Sequence, residues 1–176
     1  MKAIFLAGVL SSFALGADPV TPNAKLTPGM TFLDVSVERV CQKGYANAFH
    51  GGVRNVPESV KRKVFIAYFG KVPTNTQDYE IDHLCSLCLG GSNDQANLWP
   101  QSYTTSPFNA HVKDRLEDHL YTNVRHDLRM NGHAHAAALL KTYQTEIARD
   151  WTACYTKYLG DPAGYTTQRH RLPHQD

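Results

Sequence analysis

The 176-residue sequence lacks the features that would point to a function class at once. Neither sign of charge is in large excess: the chain has 18 Lys and Arg against 16 Asp and Glu, which gives a formal net charge of only +2. A nucleic-acid partner is therefore neither required nor excluded, since local patches matter more than the total. Repeats and low-complexity tracts are missing, and 42% hydrophobic with 19% charged residues indicates one globular domain with a buried core.

Long apolar runs are absent except at the start of the chain. Residues 1–16 contain Lys2, a short apolar run and then small residues, which is the pattern of a secretory signal peptide. A membrane anchor is the alternative, but a span needs about 20 apolar residues and this run is shorter. We expect cleavage before Ala17 and a secreted, extracellular protein without a membrane segment after cleavage. A single domain over residues 17–160 and a loose tail over 161–176 would remain.

Cysteine is scarce, with four residues in the chain: Cys41, Cys85, Cys88 and Cys154. An even count in an exported protein predicts two disulfides, with three possible connectivities. The Cys85-x-x-Cys88 spacing also fits zinc or redox chemistry, although a structural zinc site usually has a second close pair of ligands. If residues 82–88 stay extended, Cys85 and Cys88 lie about 10 Å apart, beyond disulfide reach. Each would then bond to a distant cysteine, unless a turn begins before Gly90.

Proline, glycine and apolar spacing predict the helices. Residues 32–40 fit either a strand or a short helix. Pro57 is placed as the first residue of a helix that Gly70 ends. Apolar residues at helical spacing predict a further helix from about 108 to 130 and another that ends at Gly160, and the two should pack as a helical hairpin.

The most informative stretch runs from Tyr79 to Leu120. It begins with an alternating segment that carries Asp82 and His83 side by side, and continues through a Gly-Gly turn to Asn97-Leu98-Trp99-Pro100. A charged amphipathic helix follows from near Asn109. Because neighbours on a strand point to opposite faces, one of the Asp-His pair can hold a metal while the other faces a substrate only if the chain bends there.

These residue types suffice for phosphodiester hydrolysis. The reaction needs an activated water, neutralisation of the phosphate charge and stabilisation of the leaving oxygen. A neutral imidazole can take the proton of water near pH 7. One hard cation on oxygen ligands can perform the other two tasks.

The order of these residues resembles the His-Asn-His endonuclease family, whose motif is the ββα-metal finger. Asn-Leu-Trp-Pro-Gln at 97–101 and the later Asn-Ala-His-Val-Lys-Asp-Arg-Leu-Glu resemble a secreted subgroup, as do CQKGY at 41–45 and Arg54 ahead of the finger. The resemblance covers roughly residues 41–120 and, more loosely, the later helices. An Asp-His dipeptide alone carries no weight, because Asp118-His119 is a second one and is interpreted as a solvated pair.

The resemblance implies roles for single residues. His83 would be the general base, Asp82 a metal ligand, and Asn97 the residue that ties the loop and orients the histidine. Either Asn109, which we favour because a side-chain oxygen there suits Mg²⁺, or His111 would be the second metal ligand. The implied cofactor is one divalent metal ion, with Mg²⁺ favoured over Mn²⁺ or Zn²⁺.

Two basic residues are candidate phosphate contacts, Arg54 and Lys113. Lys113 can equally pair with Glu117 at i,i+4 spacing. Cys85 and Cys88 depart from the subgroup's pattern, and we expect them to rigidify the finger rather than to change its chemistry.

We therefore expect an α+β fold in which a small antiparallel hairpin and a helix form the ββα-metal finger. The finger would pack on several helices and be stabilised by disulfides. The expected function is a secreted, monomeric, metal-dependent endonuclease that cuts DNA, and RNA as a further substrate, with little sequence preference. A catalytically inactive binding or effector protein on the same scaffold is the alternative, and a zinc-carrying CxxC protein is a third interpretation.

Overall fold

The computed structural model describes residues 20–47 and 52–163. The predicted signal peptide lies outside the described residues, as does the predicted tail after Ala163. The described chain is α+β, as predicted, with one antiparallel strand pair and several helices. The strands are β1 (Tyr79–His83) and β2 (Leu98–Ser102), and the α-helices are α1 (Val37–Val40), α2 (Glu58–Phe69), α3 (Ala110–Asn131) and α4 (His133–Leu159). Short 3₁₀ turns cover Thr76–Asp78, Leu87–Leu89 and Gln95–Asn97.

The two long helices form the predicted helical hairpin, turning back at Gly132. Their apolar residues recur every three or four positions, so each helix buries one stripe against the other. The stripe consists of Val112, Leu116, Leu120 and Val124 on α3, with Ala136, Leu140, Tyr143, Ile147 and Trp151 on α4. Burial of one such large apolar side chain contributes about 1.5–3 kcal/mol, so the stripe stabilises the packing of the two helices. None of the helices in the described part of the chain is both long and apolar enough to span a bilayer.

The shorter helices follow their local signals with small shifts. Helix α2 begins at Glu58 rather than at Pro57, because Pro57 keeps an extended ψ of 153° and serves as the N-cap. It ends as predicted at Gly70, whose φ of +73° lies in the left-handed region that glycine tolerates. The ambiguous segment 32–40 contains the one-turn helix α1, capped by the Ser36 side chain.

The strand pair lies between α2 and α3. Directly opposite residues in an antiparallel pair share a face, and the register places Glu80 opposite Gln101 and Asp82 opposite Trp99. These side chains face α3. The opposite face of the strand pair packs against α2, where the ring centroids of Phe69 and Tyr79 lie 5.3 Å apart. The pair is short, so its orientation depends on the helices that cover it.

The four cysteines do not form the two disulfides that the sequence predicts. All four are free thiols, so the predicted disulfide stabilisation is not confirmed. Of the two paths left open for residues 82–88, the structure has the turn before Gly90, because β1 ends at His83 and the 3₁₀ turn Leu87–Leu89 follows. Burial raises the pKa of the Cys85 thiol to about 12, and burial likewise raises that of Cys154 to about 12. Both thiols are therefore protonated at neutral pH and serve as packing groups.

Candidate functional site

Asp82 and His83 occupy the last two positions of β1 and point to opposite faces of the strand pair. The strand ends there because the chain bends at Leu84, whose N–H donates to the Asn97 carbonyl at 2.8 Å. The bend begins only after His83, so Asp82 and His83 keep the opposite directions of strand neighbours. Both side chains are buried, with 9% of Asp82 and 3% of His83 exposed.

His83 is held neutral by its surroundings. Burial is the main cause and lowers the pKa of the imidazole to about 4. The negative charge of Asp82 works against this shift, whereas the positive charges of Arg54 and Lys113 reinforce it. The ring nitrogen Nε2 lies 3.2 Å from Oδ1 of Asn93. At pH 7 the ring is therefore an uncharged group with one nitrogen free to accept a proton.

Asn93 connects His83 to the segment that carries Arg54. Its Nδ2 donates to the Val53 carbonyl at 2.6 Å, and its Oδ1 accepts from the Asn55 N–H at 3.1 Å. Arg54, between these two residues, is exposed and donates from Nε to the Ala46 carbonyl at 3.3 Å. The structure thus brings the predicted base and the predicted phosphate contact together through a side chain to which sequence reasoning gave no role. The only sequence signal for Asn93 is its position directly after the Gly-Gly-Ser turn.

Asn97 ties the loop between the strands, as predicted. Its side chain is fully buried and makes four hydrogen bonds to backbone groups. Oδ1 accepts from the N–H groups of Cys85 and Met30 at 2.9 and 3.2 Å, while Nδ2 donates to the carbonyls of Cys85 and Ser92 at 2.9 and 2.8 Å. It makes no direct hydrogen bond to His83 among the described residues. Asn97 thus fixes the backbone two residues after the histidine.

The Gly-Gly turn is required by close packing of backbone on backbone. A Cβ added at Gly91 would lie 1.7 Å from the Cys85 carbonyl oxygen, which is impossible without moving the turn. Gly90 has a φ of +80°, in the left-handed region. The turn therefore accepts glycine alone at Gly91 and favours it strongly at Gly90.

Lys113 is the charged centre on the Asp82 face. It is 1% exposed, and its Nζ lies 2.7 Å from Oδ2 of Asp82, pairs with Oε1 of Glu117 and donates to the His83 carbonyl at 2.8 Å. The contact with Asp82 is an ion pair without ordinary hydrogen-bond geometry. Burial lowers the pKa of Lys113, but Asp82 and Glu117 outweigh burial and raise it well above its usual range. Of the two roles considered for Lys113, the pairing with Glu117 is the one observed, and the ammonium is not free for phosphate.

Further carboxylates surround this lysine. Burial, reinforced by the charges of Asp82 and Glu117, raises the pKa of Glu80 to about 7. Burial and the charge of Glu117 raise the pKa of Asp114 to about 8. Glu80 also accepts a hydrogen bond from the Tyr103 hydroxyl at 3.3 Å. Opposite Glu80, the buried Gln101 amide has no hydrogen-bond partner for either polar atom among the described residues.

The two candidates for the second metal ligand are held differently. Asn109 is the N-cap of α3: its Oδ1 accepts from the Val112 N–H at 3.1 Å, and its Nδ2 donates to the Thr105 carbonyl at 3.0 Å. His111 stacks on the Tyr103 ring, with centroids 5.1 Å apart. Neither residue has a direct hydrogen bond to Asp82 among the described contacts. The choice between them therefore stays open.

The donor chemistry of this face fits a hard cation. The acidic side chains around Lys113 outnumber this one cation. Gln101 adds an amide oxygen that has no hydrogen-bond partner among the described residues. Across residues 20–47 and 52–163, no three His, Cys, Asp or Glu side chains converge as a ready-made metal site. Mg²⁺ commonly binds through one or two carboxylates, waters and substrate phosphates rather than through such a cage.

Comparisons with protein-family models, with curated proteins and with solved structures find no match to this chain.

Proposed function

We propose that the protein is a metal-dependent endonuclease that hydrolyses phosphodiester bonds of DNA, and of RNA as a further substrate. The observation that carries the proposal is the buried, neutral His83, held by Asn93 immediately beside Asp82. A strongly perturbed histidine next to a carboxylate is a frequent feature of catalytic sites. The exposed Arg54 on the segment joined to Asn93 adds a cationic group on the His83 side.

His83 would act as the general base. Its neutral imidazole accepts a proton from water as the hydroxide oxygen forms a bond to phosphorus and the bond to the leaving oxygen breaks. The low pKa of His83 keeps it unprotonated throughout the neutral range, at the cost of weak basicity. Asp82 beside it stabilises the imidazolium that forms, because its negative charge favours the protonated ring.

Asp82 would also be the protein's charged metal ligand, with Asn109 or His111 as the second. A bound Mg²⁺ would supply neutralisation of the phosphate and stabilisation of the leaving oxygen. Lys113 holds the Asp82 carboxylate from behind, with Nζ 2.7 Å from Oδ2. Arg54, exposed and fixed at its Nε, would contact a phosphate with its remaining donors.

Low sequence specificity is the expected consequence of these contacts. Phosphate contacts position a nuclease on its substrate but carry no sequence information. The described chain presents no helix-turn-helix or comparable reading module. With the signal peptide expected over residues 1–16, we propose that the enzyme acts outside the cell as a monomer.

The decisive experiment incubates supercoiled plasmid with the purified mature protein in Mg²⁺, Mn²⁺ or EDTA. His83→Ala should reduce nicking by about 10²–10⁴-fold, with the far-ultraviolet circular dichroism spectrum unchanged. His119→Ala is the matched control, because it changes the other Asp-His dipeptide, on α3, and should cut like the parent. Parent-like nicking by His83→Ala would refute the assignment of the base. No cleavage of DNA or RNA by folded parent protein with any metal would refute the enzyme.

A second function is favoured by one contact. The ion pair between Asp82 and Lys113 neutralises the carboxylate internally, which is the arrangement that a scaffold without catalysis would need. We propose a nucleic-acid- or protein-binding effector as this alternative. It predicts intact binding without turnover in Mg²⁺, Mn²⁺ or Zn²⁺, and binding that is insensitive to EDTA.

A further inference from the structure

The Asn93 side chain has its orientation fixed by two backbone groups. The Val53 carbonyl, 2.6 Å from Nδ2, can only accept a hydrogen bond, so the atom facing it must be the amide nitrogen. The Asn55 N–H, 3.1 Å from Oδ1, can only donate, so the atom facing it must be the amide oxygen. A flip of the amide would break both contacts at once. The atom that faces His83 is therefore the oxygen.

This orientation determines where the proton of the His83 ring lies. Oδ1 of Asn93 is an acceptor only, and it lies 3.2 Å from Nε2 of His83. The contact is a hydrogen bond only when Nε2 carries the proton. A neutral imidazole has a single N–H, so Nδ1 is then the nitrogen with the free electron pair.

We propose that Asn93 is a positioning residue that fixes His83 as the Nε2–H tautomer and thereby makes Nδ1 the atom that accepts the proton from water. The inference deepens the proposed nuclease function and, as a statement about catalysis, rests on it. The tautomer itself is a property of the free protein and is measured without substrate. A wrong tautomer presents N–H to the attacking water and disables the base.

The same amide couples two parts of the site. It joins the backbone on either side of Arg54 to the ring of His83, so one side chain holds both the tautomer of the base and the segment that carries Arg54. Three groups hold Asn93, from two separate segments of the chain. Asn93 is thus a better candidate than Asn97 for direct control of the histidine, because Asn97 bonds only to backbone groups.

The first test is the ¹⁵N NMR spectrum of the His83 ring in the full mature parent protein at pH 7, without substrate. Protonated Nε2 with unprotonated Nδ1 is the expected result. The Nδ1–H tautomer, or an equal mixture, would overturn the proposal without any substitution having been made. If Nε2–H is found but no substrate is cleaved, the assignment of Asn93 stands and the nuclease function fails.

The second test compares Asn93→Ala and Asn93→Asp, with Asn75→Ala as the control. Asn75 only donates to Asp78, and its loss should leave the tautomer and the rate unchanged. Asn93→Ala should mix the tautomers and lower kcat/KM by about five- to tenfold, which corresponds to one ordinary hydrogen bond. An Asn93→Ala protein with a pure Nε2–H ring and parental kcat/KM would refute the inference.

Asn93→Asp keeps an oxygen acceptor for the Nε2–H of His83, but its second oxygen replaces the amide nitrogen that donates to the Val53 carbonyl. The variant therefore removes the tie to Val53 and keeps the contact with the ring. The ¹⁵N spectrum should still show Nε2–H, while the free energy of unfolding should fall. A mixture of tautomers in folded Asn93→Asp would reject the positioning role, and this variant also decides the question if Asn93→Ala does not fold.

Discussion

The helical hairpin of α3 and α4 and the strand pair of β1 and β2 bury their side chains in opposite ways. Between the helices the buried groups are almost all apolar and are stabilised by their removal from water. Around the strands the buried groups include Asp82, His83, Asn97 and Lys113, each of which would destabilise the fold if it lost its partners. One region tolerates changes in detail, whereas the other requires a complete set of contacts.

Helix α3 belongs to both regions, which explains how the polar one is maintained. Its apolar stripe, including Leu116 and Leu120, faces α4, while Lys113 and Glu117 lie towards the strands. The helix is rigid because its stripe is packed, so it presents the lysine at a fixed position. A site that depends on charge placement can thus be supported by a core that is almost entirely apolar. Substitutions in the strand pair's polar surroundings and in the helical hairpin should therefore differ in their effect on stability and activity.

The largest effect should follow Lys113→Met, which removes the cation from the polar region. Asp82 and Glu117 would be left buried without their counter-charge, and breaking such a pair costs about 3–5 kcal/mol. The free energy of unfolding from urea titration measures the loss. Lys157→Met is the matched control, because Lys157 pairs with Glu146 on the surface of α4 and its loss should be small. Equal losses in the two variants would remove the distinction between the regions.

A somewhat smaller loss should follow Leu120→Ala in the helical hairpin. Leu120 is fully buried, and truncation there leaves a cavity that costs about 2–5 kcal/mol. Leu33→Ala is the control, because Leu33 is 90% exposed. Activity per folded molecule should remain parental at low temperature, since the polar contacts are untouched. A specific loss of activity without loss of stability would mean that the two regions are not separable.

The smallest effect should be the pH dependence contributed by His83. Its pKa is lowered to about 4 in the folded protein, against about 6.5 in an unfolded chain. The unfolded state therefore binds the extra proton first as the pH falls, so His83 reduces stability progressively between about pH 6.5 and 4. At pH 5 the reduction relative to pH 8 should be about 2 kcal/mol.

The measurement compares urea unfolding of the parent and His83→Gln from pH 8 to pH 4.5. The raised pKa values of Glu80 and Asp114 act in the opposite direction, but they are present in both proteins and cancel in the difference. The parent should lose stability relative to the variant as the solution becomes acidic. A difference that stays constant with pH would mean that the histidine is not held neutral by burial.

Much of the helical region was predictable because its signals are local. The apolar spacing in α3 and α4 has the helical period, and Gly70 and Gly132 mark ends where the chain needs a positive φ. Pro57 was placed one residue too far inside its helix, since a proline is compatible with both the cap and the first helical position. The strand pair was also anticipated from the alternating segment at Tyr79 and the Gly-Gly turn.

The polar contacts were only partly predictable. The roles of Asp82 and His83 as a neighbouring pair and of Asn97 as a loop tie came from the residue order, and the tie is confirmed by its hydrogen bonds. The role of Asn93 was not anticipated, because it depends on Val53 and Asn55, about 40 residues earlier in the chain. The path of the chain between Cys85 and Cys88 stayed undecided between extended and turn, because a 3₁₀ turn such as Leu87–Leu89 needs no strong sequence signal.

By itself, the sequence determined where the chain becomes helical, where it turns and which residue types are available for chemistry. These depend on interactions between residues a few positions apart, which pattern and conformational preference record directly. Only the tertiary structure decided that Lys113 faces Asp82 instead of solvent and that Asn93 meets the ring of His83. Those contacts join distant segments, and the burial and charges that set their energies exist only after the helices have packed around the strands.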